Sequence, residues 1–436
     1  MMKNLRTFAL LSGLALTATA CDMLDVSDPT RVEDEDLAQP VGIELLRVDA
    51  ITQLYNGVSQ AAFHTGLLTD ELFYIPSAFS IQNGTYATET RIDSRDVRGP
   101  EAERVATTVY NYWNNARIAA SHAINWYQRY GIASQRPIFG QLLAAKGYAT
   151  LSLGEQICTG FPLHDVDWDR PIYTGPLTTT QVFETALMLL DSAVVEAEGD
   201  AAHANFAKVT RGRALLALGR HAEAAQAVAD VPTTYVFNGE YGTGTTARAN
   251  RMPRSFSASG ANTGVADGEG GNGIDFRSAA DPRLQTTRMG VNHTGHEFFI
   301  ATKYQPTNSP ILIASGIEAR LIEAEAALRA GDANWLTILN DLRATRVTPA
   351  MPALEDPGTD DARLDLLFRE RAFWLFGTAH RLGDLRRLVS VYGRAPEAVF
   401  PNGEYVLGGT YIGNYSLPFS IVGEDWARKG VTGCLD

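Results

Sequence analysis

The sequence predicts a mainly α-helical fold made of tetratricopeptide-like helix pairs, with long loop insertions and a few short β pieces. Three observations support this prediction. Apolar residues recur at helical spacing over much of the chain, glycines separate paired helical segments, and one long glycine-rich stretch has no periodicity. Such helix pairs cannot bury their apolar faces singly, so we expect them to stack. Their irregular spacing indicates insertions instead of a regular solenoid.

The N-terminus resembles a secretory signal. Lys3 and Arg6 supply positive charge, residues 8–16 are apolar, and residues 18–20 (Ala-Thr-Ala) are small, as a cleavage site requires. The apolar run is too short to span a bilayer as a helix. We therefore predict a signal peptide over residues 1–20.

The chain contains three cysteines, and the predicted leader determines how each of them is interpreted. Cys21 stands directly after it, so either an ordinary signal peptidase releases a soluble protein or Cys21 is lipidated as in bacterial lipoproteins. We predict a lipidated, extended arm over residues 21–40, since more than one acyl chain gives stable anchoring. Cys158 and Cys434 then form an even pair outside the cytosol, which predicts a disulfide. The alternative is two buried thiols that never meet.

Composition limits the function classes. The 436 residues are 45% hydrophobic and 20% charged, which suffices for a large core, and residues 41–436 are predicted to form a single domain. The net charge of −13 argues against nucleic acid and against docking on anionic lipid. No later segment approaches eighteen unbroken apolar residues, so no transmembrane helix is predicted. No cofactor motif is found either.

Helical periodicity is clearest in seven places. A capping box of Thr178 and Gln181 begins one of these helices, and Trp113 and Tyr127 are expected to be core residues. Residues 69–99 carry aromatic residues without periodicity and are predicted to be a loop. The predicted helices and helix pairs cover residues 42–63, 102–130, 138–155, 178–197, 205–228, 315–342 and 360–391.

The largest insertion is predicted at about residues 233–310. It contains glycine-rich tracts at 239–244 and 260–273 and many aromatic residues. A loop of this length without periodicity is usually functional or disordered. Short β structure is expected at residues 297–304, where Phe298, Phe299 and Ile300 are strand formers.

Motifs spread over almost the whole chain resemble those of the SusD/RagB family of bacterial outer-membrane nutrient-binding lipoproteins, and they occur in the family's order. The matching residues are Cys21 with 24–26 (Leu-Asp-Val) and 29–30 (Pro-Thr), 113–116 (Trp-Asn-Asn-Ala), 145–148 (Ala-Lys-Gly-Tyr), 160–163 (Gly-Phe-Pro-Leu), Glu318, Glu325, Leu339, Asn340, Arg343, Arg346, Glu370, Arg371, His380, Arg381, 384–387 (Asp-Leu-Arg-Arg) and 416–419 (Ser-Leu-Pro-Phe). Trp374 and Thr378 stand where members often have further glutamates, which indicates a remote member.

The resemblance implies a function. Such a protein is a non-catalytic, lipid-anchored binding body at the cell surface of the outer membrane. It binds oligosaccharides, or in some members peptides, and delivers them to a TonB-dependent SusC-like transporter. The SusD-like fold is built on tetratricopeptide-like pairs, in agreement with the periodicity of this chain.

Candidate ligand contacts are loop aromatic residues flanked by hydrogen-bonding side chains. A sugar has apolar C–H faces and a rim of hydroxyls, so it needs a flat ring and polar groups at the ring's edge. Within residues 69–99 and the insertion, the ligand-binding candidates are Phe73, Tyr74, Phe79, Asn83, Tyr86, Arg91, Tyr241 and Phe276.

Two other function classes stay open. An all-α glycoside hydrolase or lyase would need two carboxylates in one cleft, and Asp70 and Glu71 are acidic loop residues that nothing in the sequence pairs. A tetratricopeptide-type adaptor would bind a protein segment on its helical surface. Residues 165–169 (Asp-x-Asp-x-Asp) resemble part of a calcium loop. Because Arg170 and Pro176 stand where that loop needs Gly and Glu, we predict a solvated turn and no metal site.

Overall fold

Helices make up most of the structure, a computed structural model that describes residues 37–75, 88–96, 100–168, 170–243, 249–253, 262–291 and 295–411. The mainly helical class predicted from the sequence is confirmed. In chain order the helices are α1 (Pro40–Leu68), α2 (Thr88–Asp93), α3 (Pro100–Tyr130), α4 (Arg136–Gln156), α5 (Thr179–Glu196), α6 (Ala201–Ala217), α7 (His221–Val228), α8 (Gly316–Arg329), α9 (Asn334–Thr345), α10 (Asp360–Trp374), α11 (Arg381–Ser390) and α12 (Pro396–Val399).

The described strands are short and pair two by two in antiparallel fashion, β1 with β5, β2 with β3, β4 with β8, and β6 with β7. The insertion predicted at about residues 233–310 thus contains regular structure, and the expected β piece at its end is confirmed. The strands are β1 (Leu72–Ile75), β2 (His164–Asp167), β3 (Arg170–Tyr173), β4 (Val236–Gly239), β5 (Asn262–Val265), β6 (Thr286–Val291), β7 (Glu297–Ala301) and β8 (Ile311–Ser315).

Successive helices pack against one another. α1 contacts α3, α3 contacts α4, and from α4 to α7 each helix contacts the next, while the α6–α7 hairpin stacks on the α8–α9 hairpin. Gly219 and Gly331 follow the first helix of these two hairpins with φ of 71° each, a conformation in which glycine has no steric penalty. Trp113 of α3 is fully buried, as predicted. Its ring lies so close to α1 that a Cβ on Gly57 would stand 2.7 Å from it.

The helix starts follow the side-chain caps expected from the sequence. The Thr178 hydroxyl accepts a hydrogen bond from the Gln181 amide over 3.2 Å, and the Gln181 side chain accepts one from the Thr178 amide over 2.9 Å. This reciprocal capping box is confirmed. At the start of α8 the Ser315 hydroxyl likewise accepts from the Glu318 amide, over 3.1 Å.

The predicted helix at residues 360–391 is wrong as a single element. It is divided into α10 and α11, and Gly377 and Ala379 in the connection have φ of 67° and 65°. The Gly377 amide donates to the Glu71 carboxylate over 2.8 Å. A contact to a residue so distant in sequence has no signature in the local periodicity.

The predicted solvated turn at residues 165–169 is wrong for Asp165, whereas Asp167 is 42% exposed and Trp168 lies in a turn. Asp165 and Asp167 lie in β2, while residue 169 is outside the described residues. Asp165 pairs with Lys146 over 2.7 Å and accepts from the Ser121 hydroxyl over 2.6 Å. Because these partners come from α4 and α3, Asp165 attaches β2 to the helices.

Charged side chains in the interior join α8, α10 and α11. Arg371 donates twice to Asp384, over 2.9 Å each, and Arg387 donates to Asp384 over 3.0 Å. Arg387 also donates twice to Glu325, over 3.1 and 2.8 Å. All four residues are buried. Asp384 and Arg387, three residues apart on α11, thus belong to a buried ionic network.

Candidate ligand-binding site

The pairing of β1 with β5 brings the aromatic loop after α1 to the glycine-rich insertion. Phe73 lies opposite Gly264 and Tyr74 opposite Thr263. A Cβ on Gly264 would stand 2.5 Å from the Phe73 ring, so this close approach requires glycine. Two segments almost two hundred residues apart therefore form one surface.

A buried carboxyl lies behind β1. Asp93 Oδ2 accepts hydrogen bonds from the Tyr74 amide and from the Tyr405 hydroxyl, over 2.9 Å each. Burial, with the neighbouring charge of Glu269, raises the pKa of Asp93 well above its ordinary value. The Tyr405 ring meets the Tyr411 ring edge-on at 5.2 Å. The C-terminal part of the described chain thus closes over this carboxyl.

The turn over residues 268–271 carries a second buried carboxyl. Glu269 accepts a hydrogen bond from the Tyr411 hydroxyl, and burial raises its pKa. Gly270 has φ of 65°, and a Cβ there would stand 2.5 Å from the Asn402 amide nitrogen. Asn402 also donates to the Asn272 side chain over 2.9 Å. The glycines therefore let this turn lie directly against the segment that precedes Tyr405.

Between the two segments is an open cavity of about 560 Å³. The described residues that line it contribute carboxylates, backbone atoms and one tyrosine ring. None of these described lining residues is a lysine or an arginine. Carboxylates accept hydrogen bonds from hydroxyl groups, and Glu404 presents one at an exposed position. The lining residues are Asp267, Gly268, Glu269, Gly270, Gly271, Glu404, Tyr405 and Val406.

Asp70 fixes the position of this cavity on the helical body. Arg381 of α11 donates twice to the Asp70 carboxylate, over 2.8 Å each, and the Ile274 amide donates to it over 3.0 Å. Ile274 in turn accepts from the Gly268 amide over 3.0 Å. Burial alone would raise the pKa of Asp70, but the charge and hydrogen bonds of Arg381 hold it below its ordinary value. The glycine turn is therefore tied to the buried ionic core.

Solved structures with this arrangement of elements are SusD-like proteins. A SusD superfamily protein from Bacteroides thetaiotaomicron matches with a TM-score of 0.60 at 12% identity, over 84% of this chain and 95% of that one. Surface glycan-binding protein A from Bacteroides uniformis matches with 0.59 at 14%, over 83% and 92%. A SusD-like carbohydrate binding protein from Bacteroides vulgatus matches with 0.56 at 16%, over 80% and 83%. The fold is SusD-like.

Sequence comparison adds nothing to this structural match. No protein-family model and no curated protein matches the chain. At such low identity the likeness concerns the SusD-like fold. Within the described residues, no helix combines the length and apolar character needed to cross a bilayer, and no group of three or more His, Cys, Asp or Glu side chains could hold a metal ion.

Three of the predicted ligand residues have buried rings in the SusD-like fold. Phe73 and Tyr74 in β1 are 7% and 8% exposed, and Phe276 is completely buried between Phe373 and Phe376. In this conformation the Phe276 ring offers no face to a ligand. Loop aromatic residues were predicted from their sequence context alone, and that context does not distinguish a packed ring from an open one.

The other predicted residues are dispersed. Arg91 pairs with Asp96 over 3.6 Å near the end of α2. Tyr241 packs against the core and donates its hydroxyl hydrogen to the Tyr55 carbonyl over 2.9 Å. Cys158 is buried, and its predicted bridge to Cys434 stays a prediction. Outside the described residues lie Cys21, Phe79, Asn83, Tyr86 and Cys434.

Sequence reasoning missed the polar residues of the cavity. The sequence patterns assign no role to Tyr405 or Tyr411, and Glu269 is only part of the glycine-rich tract at 260–273. The glycines themselves were the available signal, because such a tract favours close approach of two backbones. No local sequence pattern indicates the role of Asp93, since the fold brings its partners Tyr74 and Tyr405 to it.

Proposed function

We propose that this chain is a non-catalytic surface lipoprotein of the outer membrane that binds oligosaccharides and delivers them to a TonB-dependent SusC-like transporter. The observation that carries the proposal is the SusD-like fold, because two of its structural neighbours are a carbohydrate binding protein and a surface glycan-binding protein. The cavity between Glu269 and Tyr405 suits this ligand class. Glu404 lines it at an exposed position, and its carboxylate can accept from sugar hydroxyls.

Lipidation of Cys21 would hold the protein beside its transporter. We expect the wild-type protein in the outer-membrane fraction together with a large β-barrel protein, and Cys21→Ser in the soluble fraction. Recovery of wild-type protein in the soluble periplasm or inner membrane would contradict this part of the proposal. Thiol titration of the denatured, unreduced protein should find Cys158 and Cys434 unreactive if they are bridged.

Ligand binding is tested with a glycan and peptide array and the soluble form that begins after Cys21. We expect binding to oligosaccharides, with weaker binding by Glu404→Gln, because this exposed carboxylate lines the cavity. Glu223→Gln, at an exposed position of α7, is the matched control and should bind as wild type. Binding to peptides alone would indicate a peptide ligand instead of an oligosaccharide. Turnover of any glycan would favour the hydrolase or lyase alternative.

The carboxylates first considered for catalysis lie inside the protein. Asp70 is 2% exposed and Glu71 is fully buried. Their partners are Arg381, the Ile274 amide and the Gly377 amide, so both carboxylates are directed toward the interior. This arrangement supports the non-catalytic proposal over a hydrolase that uses these two residues.

One observation favours a protein-binding role for the helical hairpins. A groove of about 820 Å³ lies between α7 and the α8–α9 hairpin, and six alanines contribute to its walls. Ala330→Arg would place a charged side chain in this groove without touching the cavity. Loss of β-barrel co-purification with intact glycan binding would identify the groove as the partner surface, whereas unchanged co-purification would argue against it.

A further inference from the structure

Three aromatic rings form a partly exposed cluster away from the residues that line the cavity. Trp126 and Tyr130 lie at the end of α3, with ring centroids 5.1 Å apart and planes inclined by 28°. Trp168 follows β2, and its ring meets that of Trp126 at 5.5 Å and 65°. None of the three is buried. They are therefore accessible rings, unlike Phe73 or Phe276.

Arg129 completes this aromatic cluster. Its guanidinium carbon stands 5.3 Å from the centroids of both the Tyr130 and the Trp168 ring. The side chain is exposed, so its N–H groups are available at the edge of the rings. A cation over two ring faces also links the helix to the hairpin.

The backbone of Trp168 is unusual. Its φ is 59°, a left-handed conformation that is an outlier for a bulky residue and is common for glycine and asparagine. It lies in the β2–β3 connection between the paired residues Asp167 and Arg170, where hairpins favour Asn or Gly. Strain of this kind persists only where surrounding structure maintains it, and it is concentrated at functional positions.

The hairpin under Trp168 is held rigidly on α3. Arg117 donates to the His164 carbonyl over 2.7 Å, and Asn125 donates to the Val166 carbonyl over 3.2 Å. The partly buried ion pair of Asp165 with Lys146 adds a third attachment. The Trp168 ring is therefore positioned before any ligand arrives, which reduces the entropy lost on binding.

We propose that Trp126, Tyr130 and Trp168, with Arg129, form a second contact surface for a glycan chain, distinct from the cavity at Glu269. This inference rests on the proposed function. The inclined rings offer apolar faces to consecutive pyranose units, and Arg129 offers donors to their hydroxyl oxygens. Asp167, with 42% of its side chain exposed, pairs with Arg170 and can also accept from hydroxyls. Hydrogen-bond donors and acceptors beside accessible rings suit a glycan, and vesicle binding tests a membrane surface as the alternative.

The decisive variant is Trp168→Asn. Asparagine tolerates the left-handed backbone, so the change removes the ring and preserves the hairpin. Trp168→Phe keeps a ring as a rescue variant, and Met188→Asn makes a similar change at an exposed position of α5. Each purified protein is titrated with maltohexaose, cellohexaose and mannohexaose by calorimetry, and with phosphatidylglycerol-containing vesicles by sedimentation.

We expect the wild-type protein to bind at least one hexasaccharide, and Trp168→Asn to weaken that binding about tenfold, as loss of one stacked ring predicts. Trp168→Phe and Met188→Asn should stay within about twofold of wild type. Equal affinity of Trp168→Asn and wild type would overturn the second surface while the proposed function stands. Vesicle binding lost only in Trp168→Asn would instead identify a lipid contact. Absence of hexasaccharide binding by the wild-type protein would contradict both proposals.

Discussion

The link between Asp70 and Arg381 gives the sharpest test of the buried ionic core. Arg381→Met removes the guanidinium and leaves a carboxylate that is 2% exposed, with the Ile274 amide as a remaining donor. Breaking one side of a buried ion pair destabilises a protein by about 3–5 kcal/mol. That is a large fraction of the roughly 5–15 kcal/mol by which domains are stable. We therefore expect Arg381→Met to lower the free energy of unfolding by about 3–5 kcal/mol at neutral pH.

The loss should depend on pH in a defined direction. In the wild type the pKa of Asp70 lies below its ordinary value, so the stability contributed by this carboxyl is present above the unfolded pKa and is lost as pH falls through the folded pKa. In Arg381→Met, burial is no longer opposed by the cation, and the folded pKa rises above the unfolded one. The variant must then lose stability as pH increases. Its free energy of unfolding should therefore fall further below that of wild type at about pH 7 than at about pH 4.

Urea unfolding followed by circular dichroism measures the free energies. The second variant is Asp70→Asn, and Arg381→Met/Asp70→Asn completes a double-mutant cycle. The double variant should be more stable than Arg381→Met alone, because it contains no unpaired buried charge. Arg220→Met is the control, since Arg220 pairs with Glu223 in solvent and the change should be nearly silent. If Arg381→Met were as mild as this control, or its deficit did not grow with pH, the reasoning would be refuted.

Two further variants test other parts of the scaffold. Burial raises the pKa of Glu71 to about 8, so the wild type loses stability as pH rises from the unfolded pKa toward that value. Glu71→Gln keeps an acceptor for the Gly377 amide and should gain relative to wild type by up to about 1.4 kcal/mol per pH unit in urea unfolding across this window. Gly140→Ala would push a Cβ into the backbone nitrogen of Ala197 and should destabilise by about 1–3 kcal/mol in the same assay, whereas Gly175→Ala, with open space around it, should not. Full stability of Gly140→Ala, or a pH-independent difference for Glu71→Gln, would contradict these expectations.

Local patterns predicted much of the fold because they act within a few residues. The capping box at Thr178 and the hairpin turns at Gly219 and Gly331 are confirmed, since each depends on hydrogen bonds or φ angles of adjacent residues. The break between α10 and α11 was missed because its cause is distant. The Gly377 amide there bonds to Glu71, which lies 306 residues away in sequence.

The candidate site was predicted less well than the fold. The sequence context predicts ligand contacts in the loop after α1, whereas Phe73 and Tyr74 lie in a buried strand that pairs with β5. The accessible rings came from a helix end and a hairpin tip. No sequence pattern indicates the role of Trp168, because turn preferences favour Asn or Gly, and not Trp, at a left-handed position of a hairpin. The contact of its ring with that of Trp126 is visible only in the folded structure.

The contrast between core and loops explains how a fold can be recognised at 12–16% identity when a ligand cannot. In the buried network each charge depends on a partner from another element, as Arg387 does on Glu325 and Asp384. Replacing one partner leaves an uncompensated buried charge, so such residues change together or not at all. Partly exposed rings such as Trp168 contact their neighbours through ring faces, so replacing one ring leaves no unpaired buried charge. The residues that fix the architecture therefore resist change, while those that would select a sugar can vary on the same scaffold.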